Sequence, residues 1–574
     1  MKKSKLAAAI ALLSCYPGAA FSDTVFEEIS VVAQKREQSV QEVGIAITAL
    51  TGDQLEALGF DNAQQVTAMA PGVQTVQPNG EANYSVGIRG VTNSDFTTNV
   101  ESPVALYVDE VYISQMSGAG FSLFDLERVE ILRGPQGTLF GRNATGGLVH
   151  FITRKPTFYQ EGYAKITLGD YNQRKFEGAY SNELTESLAA RLSVNINKAD
   201  GYIDNRYTGD KLNNANDKTV RLQLLYNPAD NVEALFNFRY SDQDIDTGFF
   251  ENVSSIRAGE LTPDEMNPVL GYIDNDGDVY AGDYDDPGFN ELETNGATAT
   301  IKWTISDDVK LVSITDISNV ERTYIEDSDA SPVPLFNFFL TTDAKQISQE
   351  LRLEGSVGEL QWVVGGYYLD LDINDSNGAI SEPFIGGGGT TVEGSEGGLY
   401  NPYISTLTSQ SLFGQIEYPL ATDLTLIVGM RLIQDEKEFD FSVNAVEFLN
   451  PESKPGFADD SNIALQAMLG EYNASRKDTE VASRLQLNWF PVEDILTYVS
   501  WNRGVKGGGY NAPIFPLTPP NYYDDDTLSY DPEQLDAYEI GVKSDVGEYG
   551  RLNVAAYYYD YTDYQIFNII GLDT

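Results

Sequence analysis

From about residue 157 onward the chain is written in period two. Leu188, Ala190, Leu192, Val194 and Ile196 alternate with Ala189, Arg191, Ser193, Asn195 and Asn197, and Val220, Leu222, Leu224 and Tyr226 alternate with Thr219, Arg221, Gln223 and Leu225. Successive side chains of a strand point to opposite faces, so each segment has one apolar and one polar face. The rhythm returns around 232–241, 412–418, 424–432, 485–489 and 552–558, and the pattern predicts about fifteen strands. In a soluble sandwich the apolar face points inward, whereas in a membrane barrel it points to lipid and the polar face lines the lumen. Periodicity alone leaves both open.

Other features narrow the choice. No run of eighteen or more apolar residues could form a spanning helix, so if the chain crosses a bilayer only a closed barrel can do it. The 34 Tyr and 27 Phe suit the aromatic girdles of such a barrel. Met1 to Lys5 is basic, Leu6 to Leu13 apolar, and Ala20-Phe21-Ser22 small-x-small, so residues 1–22 read as a secretory signal peptide cleaved before Asp23. The single cysteine, Cys15, falls inside it, which excludes disulfides and thiolate metal sites from the mature chain. Leu12-Leu13-Ser14-Cys15 also loosely resembles a lipoprotein processing site, with the bulky Leu13 against that reading.

The formal net charge of -49, from 37 Lys+Arg and 86 Asp+Glu, argues against nucleic acid as a partner and against an anionic-membrane patch. It fits either the solubility of long acidic loops or a funnel for cationic solutes. Connections alternate in length. Short turns at Asn182-Glu183, Pro228-Ala229-Asp230 and Ser306-Asp307-Asp308 contrast with acidic, Gly- and Asn-rich stretches at 244–293, 372–406, 440–478 and 506–533, as a barrel with short turns at one rim and long loops at the other requires.

The stretch Leu126-Glu-Arg-Val-Glu-Ile-Leu-Arg-Gly-Pro-Gln-Gly-Thr-Leu-Phe-Gly-Arg-Asn-Ala-Thr-Gly-Gly147 reads as one alternating strand ended by Gly134-Pro135 and followed by closely spaced glycines. It resembles the plug-domain signature of TonB-dependent outer-membrane receptors. Val86-Gly-Ile-Arg-Gly-Val91 and Val104 to Ile113 resemble earlier plug strands, Gly147 to Pro156 the last one, and Asp531 to Lys543 a barrel strand of the same family. The resemblance implies a mostly β chain: an N-terminal α+β plug domain inside an antiparallel transmembrane β-barrel. It divides the mature chain into a TonB box and linker over residues 23–45, a plug over 46–156 and a barrel part over 157–574. Twenty-two barrel strands are expected for the family and about fifteen are present, without a terminal aromatic strand before Thr574, so the chain reads as a C-terminally incomplete receptor.

The resemblance also assigns roles. Phe26-Glu27-Glu28-Ile29-Ser30-Val31-Val32 is similar to the TonB box, a β-prone segment on a mobile N-terminus that adds as a strand to a partner's sheet; the alternative is an ordinary first strand of the plug. Arg89 and Arg133 match the plug arginines, and Glu539 one of the barrel glutamates that pair with them as a latch; isolated surface charges are the alternative. Gly134, Gly137, Gly141, Gly146 and Gly147, with Pro135, are expected to give tight, φ-positive backbone against the barrel wall. A phosphate-cradling loop is discounted because the Gly-Lys-Ser/Thr ending is missing.

Three further candidates carry less. Tyr510, Phe515, Tyr522 and Tyr523 follow a glycine-rich strand end and offer a cargo surface, or simply pack on one another. Asp274, Asp276 and Asp278 could hold calcium, although Val279 stands where an EF-hand loop has glycine, and a solvated acidic loop is the alternative. His150, the only histidine, lies in a plug strand, which makes packing or one hydrogen bond its expected role and haem an unexpected cargo.

The function expected from these features is TonB-dependent import of a scarce nutrient across the bacterial outer membrane, an iron-siderophore complex first and a glycan, vitamin or other small molecule second. The partners would be the TonB-ExbB-ExbD complex, outer-membrane lipid and the cargo, with no resident cofactor. A passive porin is the competing class, disfavoured by about 110 residues of plug ahead of the barrel pattern. A hydrolase is disfavoured because a lone histidine in the plug would be its general base.

Overall fold

The computed structural model describes residues 29–566 apart from 61, 68, 77–84, 96, 119–122, 249, 253–271, 273, 275–276, 333, 335, 382–395, 450–462, 493, 518–521 and 546–549. The expected signal peptide, Phe26 to Glu28 and Asp276 lie outside the described residues.

One antiparallel sheet of fifteen strands forms the wall, in chain order from Glu161–Leu168 to Arg551–Thr562. Its burial is inverted relative to a water-soluble core. In Leu188–Ala199, Leu192 and Ile196 are 48% and 39% exposed, while Arg191 and Ser193 are 2% and 0% exposed. In Ala215–Ala229 the apolar Val220 and Leu222 point outward and Arg221 and Gln223 are buried. The apolar face therefore looks away from the molecule and the polar face lines a lumen, which selects the barrel arrangement over the sandwich.

Short hairpin turns such as Ala229 to Val232, Ser306 to Val309 and Ala421 to Leu424 mark one rim, and the long connections mark the other. The first turn follows Thr185 rather than falling at Asn182-Glu183, because the strand Arg174–Thr185 continues pairing through a register shift beyond Glu183. Strands also run into stretches that read as loops. Leu360–Ser381 and Glu396–Ala421 occupy much of 372–406, and Leu424–Phe448 and Ile463–Val492 much of 440–478. Ladder hydrogen bonds satisfy the backbone whatever the side chains are. A strand that stands clear of the bilayer has no need of an apolar face, so its sequence resembles a loop. Roughly ten residues suffice to cross a membrane as a strand, and Ile463–Val492 has 30.

The plug sits in the lumen. Its five-stranded sheet runs Ala46–Thr51, Leu126–Arg133, Gly147–Thr153, Val104–Val108, Val111–Ile113. Only Val104–Val108 with Gly147–Thr153 is parallel. Thr51 and Gln54 form a capping box at the start of the helix Gly52–Leu58, and Gly59 ends it at φ 72. One sheet face buries Leu55, Val66, Ile88, Ile131 and Phe151 among themselves. The other brings Ile47, Tyr107, Leu132 and Leu148 into one cluster with the wall residues Leu407, Phe413 and Phe439. At roughly 1.5–3 kcal/mol per fully buried large apolar side chain, the second face seats the plug and the first makes it a domain.

Candidate functional site

The N-terminal segment is the first functional element. Ser30–Val31 pairs antiparallel with Gln38–Ser39, and the Val40 N–H donates to the Ile29 carbonyl at 3.0 Å. The Val32 N–H donates to both carboxylate oxygens of Glu130, at 3.0 and 3.2 Å, and Arg128 Nε donates to the same carboxylate at 2.8 Å. Burial raises the pKa of the Glu130 carboxyl against the pull of Arg128. The part of the TonB-box-like segment that is described, Ile29 to Val32, is thus paired within the chain: its β-prone residues find a partner strand in Gln38–Ser39 and a clasp in Glu130. Beyond it, Lys35 Nζ lies 3.4 Å from Glu110 and 3.3 Å from Glu350, Arg36 pairs with Glu417, and Lys543 Nζ donates to the Val40 carbonyl at 2.7 Å. Three separate wall strands therefore hold this stretch.

The expected latch is half assembled. Arg89 follows the strand Ser85–Ile88 in a left-handed turn with Gly90, at φ 55 and 83. Its Nη1 is 2.6 Å from Glu539 Oε2 and donates to the Tyr559 hydroxyl at 3.0 Å, and its guanidinium lies 4.0 Å above the Tyr557 ring. The Tyr498 hydroxyl donates to the second Glu539 oxygen at 2.6 Å. Arg133 departs from the expectation. It donates to the carbonyls of Ala46 at 3.4 Å and Pro71 at 3.1 Å, and among the described residues no carboxylate pairs with it. Burial and the neighbouring Arg89 guanidinium both lower its pKa.

The signature loop is fitted between wall strands. Gly134, Gly141 and Gly147 have the left-handed φ, at 89, 89 and 143, but Gly137 and Gly146 do not. Those two are closely fitted: a Cβ on Gly137 would meet the Ala482 methyl at 3.0 Å, and one on Gly146 would meet Val91 at 3.0 Å, so a larger residue would press on its neighbours. Pro135 packs where Gly504 has no side chain. The Asn143 N–H donates to the Val505 carbonyl at 3.0 Å, and Arg431 Nη1 donates to the Leu139 carbonyl at 3.4 Å.

Above this loop lies a network that the sequence did not announce. Glu101 Oε2 accepts from Arg142 at 2.7 Å and from Lys437 at 3.1 Å, Asn143 donates to Glu101 Oε1 at 2.8 Å, and Arg142 Nε lies 3.1 Å from Asp435. Burial would raise the Glu101 carboxyl, but Arg142 and Lys437 overcome it and hold it at about 2. Arg142 and Asn143 were visible in the signature without a role. Their partners could not be inferred, since Lys437 is 336 residues from Glu101.

The aromatic candidates divide. Tyr510 is buried, stacked on Phe439 at 5.3 Å with Tyr472 at its edge, and its carbonyl accepts from Asn99 of the plug at 2.6 Å. Phe515 stacks on Phe336 at 5.9 Å, and the Tyr523 hydroxyl accepts from the Leu517 N–H at 3.0 Å. Tyr522 alone is exposed. The described parts of the connection between Lys506 and Glu533 thus meet the plug through Tyr510, and packing has taken three of the four rings.

In the acidic loop Asp274 pairs with Arg206 at 3.0 Å and Asp278 accepts from the Tyr280 N–H at 3.1 Å. Among the described residues no three His, Cys, Asp or Glu side chains converge on a metal position. His150 is buried, its Nε2 accepts from the Glu110 N–H at 3.0 Å, and burial pushes its pKa down to about 3.

A plug fastened inside a strand wall, with a tethered N-terminal strand, defines the class. Residues 39–148 match the TonB-dependent Receptor Plug Domain family, and residues 154–573 match the TonB dependent receptor-like, beta-barrel family. The chain belongs to the TonB-dependent receptors. Among curated relatives it is 27% identical over 208 residues to a vitamin B12 transporter BtuB of Photobacterium profundum, covering 35% of this chain. It is 22% identical over 561 residues to the pesticin receptor of Yersinia enterocolitica, covering 95% of this chain and 72% of that protein. The matches to the vitamin B12 transporters of Photobacterium profundum and Vibrio vulnificus span 33% and 28% of those proteins' lengths. Among solved structures, the ferric yersiniabactin uptake receptor FyuA of Yersinia pestis superposes with a TM-score of 0.72 at 18% identity, over 91% of this chain and 73% of that one. The siderophore receptor PiuA of Acinetobacter baumannii gives 0.67 at 14% identity, over 91% and 73%. At these identities the structural likeness is one of fold.

Proposed function

We propose that this protein imports a scarce nutrient across the bacterial outer membrane by TonB-dependent active transport, with a ferric siderophore complex as its cargo. The observation that carries the reading is the tethered N-terminal strand: a segment clasped by Glu130 and tied through residues 35–40 to three wall strands is a handle on a plug that fills the lumen. Pulling on an extended strand loads its backbone hydrogen bonds together, which is how force from a TonB-ExbB-ExbD motor would reach the plug. Arg89 and Glu539 would serve as the latch that gives way. The siderophore assignment draws on the printed activities of FyuA and PiuA, and the matched segment of a vitamin B12 transporter supports a corrinoid as the second reading.

The test is uptake of radiolabelled ferric complexes and of cobalamin by cells carrying or lacking this gene, with and without a functional TonB. Uptake that needs both gene and TonB identifies the cargo. Gene-dependent uptake that ignores TonB would refute active import in favour of a passive pore.

A further inference from the structure

Two cavities border the plug where it meets the first wall strands. One, of about 130 Å³, lies between Gln115, Phe124 and Phe151 of the plug and the strands Ala215–Ala229 and Val232–Asp246. The other, of about 610 Å³, lies between the helix Gly52–Leu58 and the strands Glu161–Leu168 and Arg174–Thr185, beside the exposed carboxylates of Asp53 and Glu56. Phe124 and Leu126 line both, so the segment 124–126 is the partition between them.

Asp125, at the centre of that partition, has φ 52. Its buried carboxylate accepts from Arg191 Nε at 2.8 Å and from Ser193, and lies 3.4 Å from Arg221. One plug carboxylate thus fixes two wall arginines, and a strained backbone holds it there.

The smaller cavity has an unusual charge for this chain. Among the described residues its only charged lining groups are Arg221 and Arg239, which stand directly opposite one another on adjacent strands. Their counter-ions, Asp125 and Asp316, stand behind the lining. Arg221 is nine-tenths buried; its Nη2 donates to the Phe124 and Asp125 carbonyls at 3.3 and 3.1 Å, whereas its Nε has no hydrogen-bond partner. Like charges paired across a sheet repel, and buried guanidinium N–H groups without acceptors are costly. An anion between them would relieve both.

We propose that the smaller cavity is a transit site for an anionic group, a carboxylate or phosphate borne by the solute, and that it and the larger cavity are successive compartments of a passage between plug and wall locked by Asp125. This deepens the import reading, on which it rests for the identity of the traffic. The cavity has room for on the order of ten waters or one compact anionic group, so it receives one arm of a larger cargo rather than the whole. Selectivity is set where a passage is narrowest, so two arginines there outweigh acidic loops that salt screens within about 10 Å.

The test is conductance of the receptor in planar lipid bilayers under a potassium chloride gradient, comparing the unaltered protein, Asp125→Asn and Phe124→Ala. Folding of each is checked by its heat-modifiable gel mobility. The unaltered protein is expected to stay closed, and both variants to raise the open fraction about tenfold or more, with a reversal potential on the chloride side. Adding Arg239→Gln to either variant should abolish that selectivity. Folded variants as silent as the unaltered protein, or an open state selective for potassium, would overturn the proposal. Phe124→Ala keeps the Asp125 clasp intact, so it decides the matter if Asp125→Asn does not fold. Bilayer conductance needs no TonB, so a silent result leaves active import standing, whereas lost TonB-dependent uptake with normal conductance refutes the import reading alone.

Discussion

The upper and lower parts of the plug are fastened differently. Behind the signature loop, Asp435, Arg142, Glu101 and Lys437 form a connected row in which each charge meets an opposite one. Toward the short-turn rim, Arg89 and Glu539 form a pair supported by tyrosines, and separate ties run through the N-terminal segment, from Glu110 to Arg352, and from Asp125 to Arg191 and Arg221. A network resists the loss of any one contact until a central member goes, whereas a chain of single ties can be released in sequence from its end. Under the import reading, the side of the plug that carries the N-terminal segment is the part that would be released first.

Removing the centre of the network should have the largest effect. Glu101→Ala leaves Arg142 and Lys437 buried beside each other, and breaking a buried pair in this way costs about 3–5 kcal/mol. Hydrogen exchange of the signature loop should accelerate accordingly, and unchanged protection there would refute the network's role. Glu539→Gln is expected to cost less, about 1.5–3 kcal/mol, because Tyr559 and the Tyr557 ring still receive Arg89. Loosening should appear around residues 85–91 while the upper loop stays protected; equal loosening of both ends would erase the contrast between them.

Glu130→Ala should come next. It strands the Val32 N–H and leaves Arg128 with Glu127 as its remaining carboxylate, at a cost of about 1–3 kcal/mol, and limited proteolysis should then cut the N-terminal segment with the rest of the plug intact. Arg133→Gln is expected to be the mildest, within about 1 kcal/mol, since it loses bonds to two carbonyls at a partly exposed position. A larger effect would mean that Arg133 carries latch charge after all.

Acid separates the contributions by pH. His150 is pushed down to about 3 in the folded plug, whereas an unfolded histidine takes up a proton near 6.5. Its contribution is therefore full above about pH 6.5 and is lost as pH falls toward 3. Glu101, held at about 2 against an ordinary value of 4.5, adds a loss confined to the range below about pH 4.5. Plug protection should decline in two limbs, and His150→Gln should remove the first while leaving the second.

The sequence revealed the wall through alternation at Leu188 to Asn197, which needs only neighbouring residues to be seen. It also revealed Arg89 and Glu539, because both stand in recognisable motifs. Glu130 and Glu101 stayed hidden. Their partners lie 98 and 336 residues away, and nothing local distinguishes a buried clasp from a charge on a strand's wet face. The far ends of the wall strands were hidden for another reason: at the end of Leu424–Phe448 both faces are buried, with polar Asn444 and Glu447 beside Val446 and Phe448, so the period-two contrast is lost there.

The inverted burial of the wall has a calorimetric consequence. The heat capacity of unfolding comes chiefly from apolar surface newly met by water, about 12–15 cal/mol/K per residue in soluble domains. The plug, with Ile88, Ile131 and Phe151 enclosed, should follow that rule. Leu192, Leu222 and Leu412 of the wall already face outward, and in a detergent micelle they remain against hydrocarbon when the ladder breaks. Heated in micelles, the two parts should trace stability curves of different curvature, strongly bowed for the plug and nearly straight for the wall.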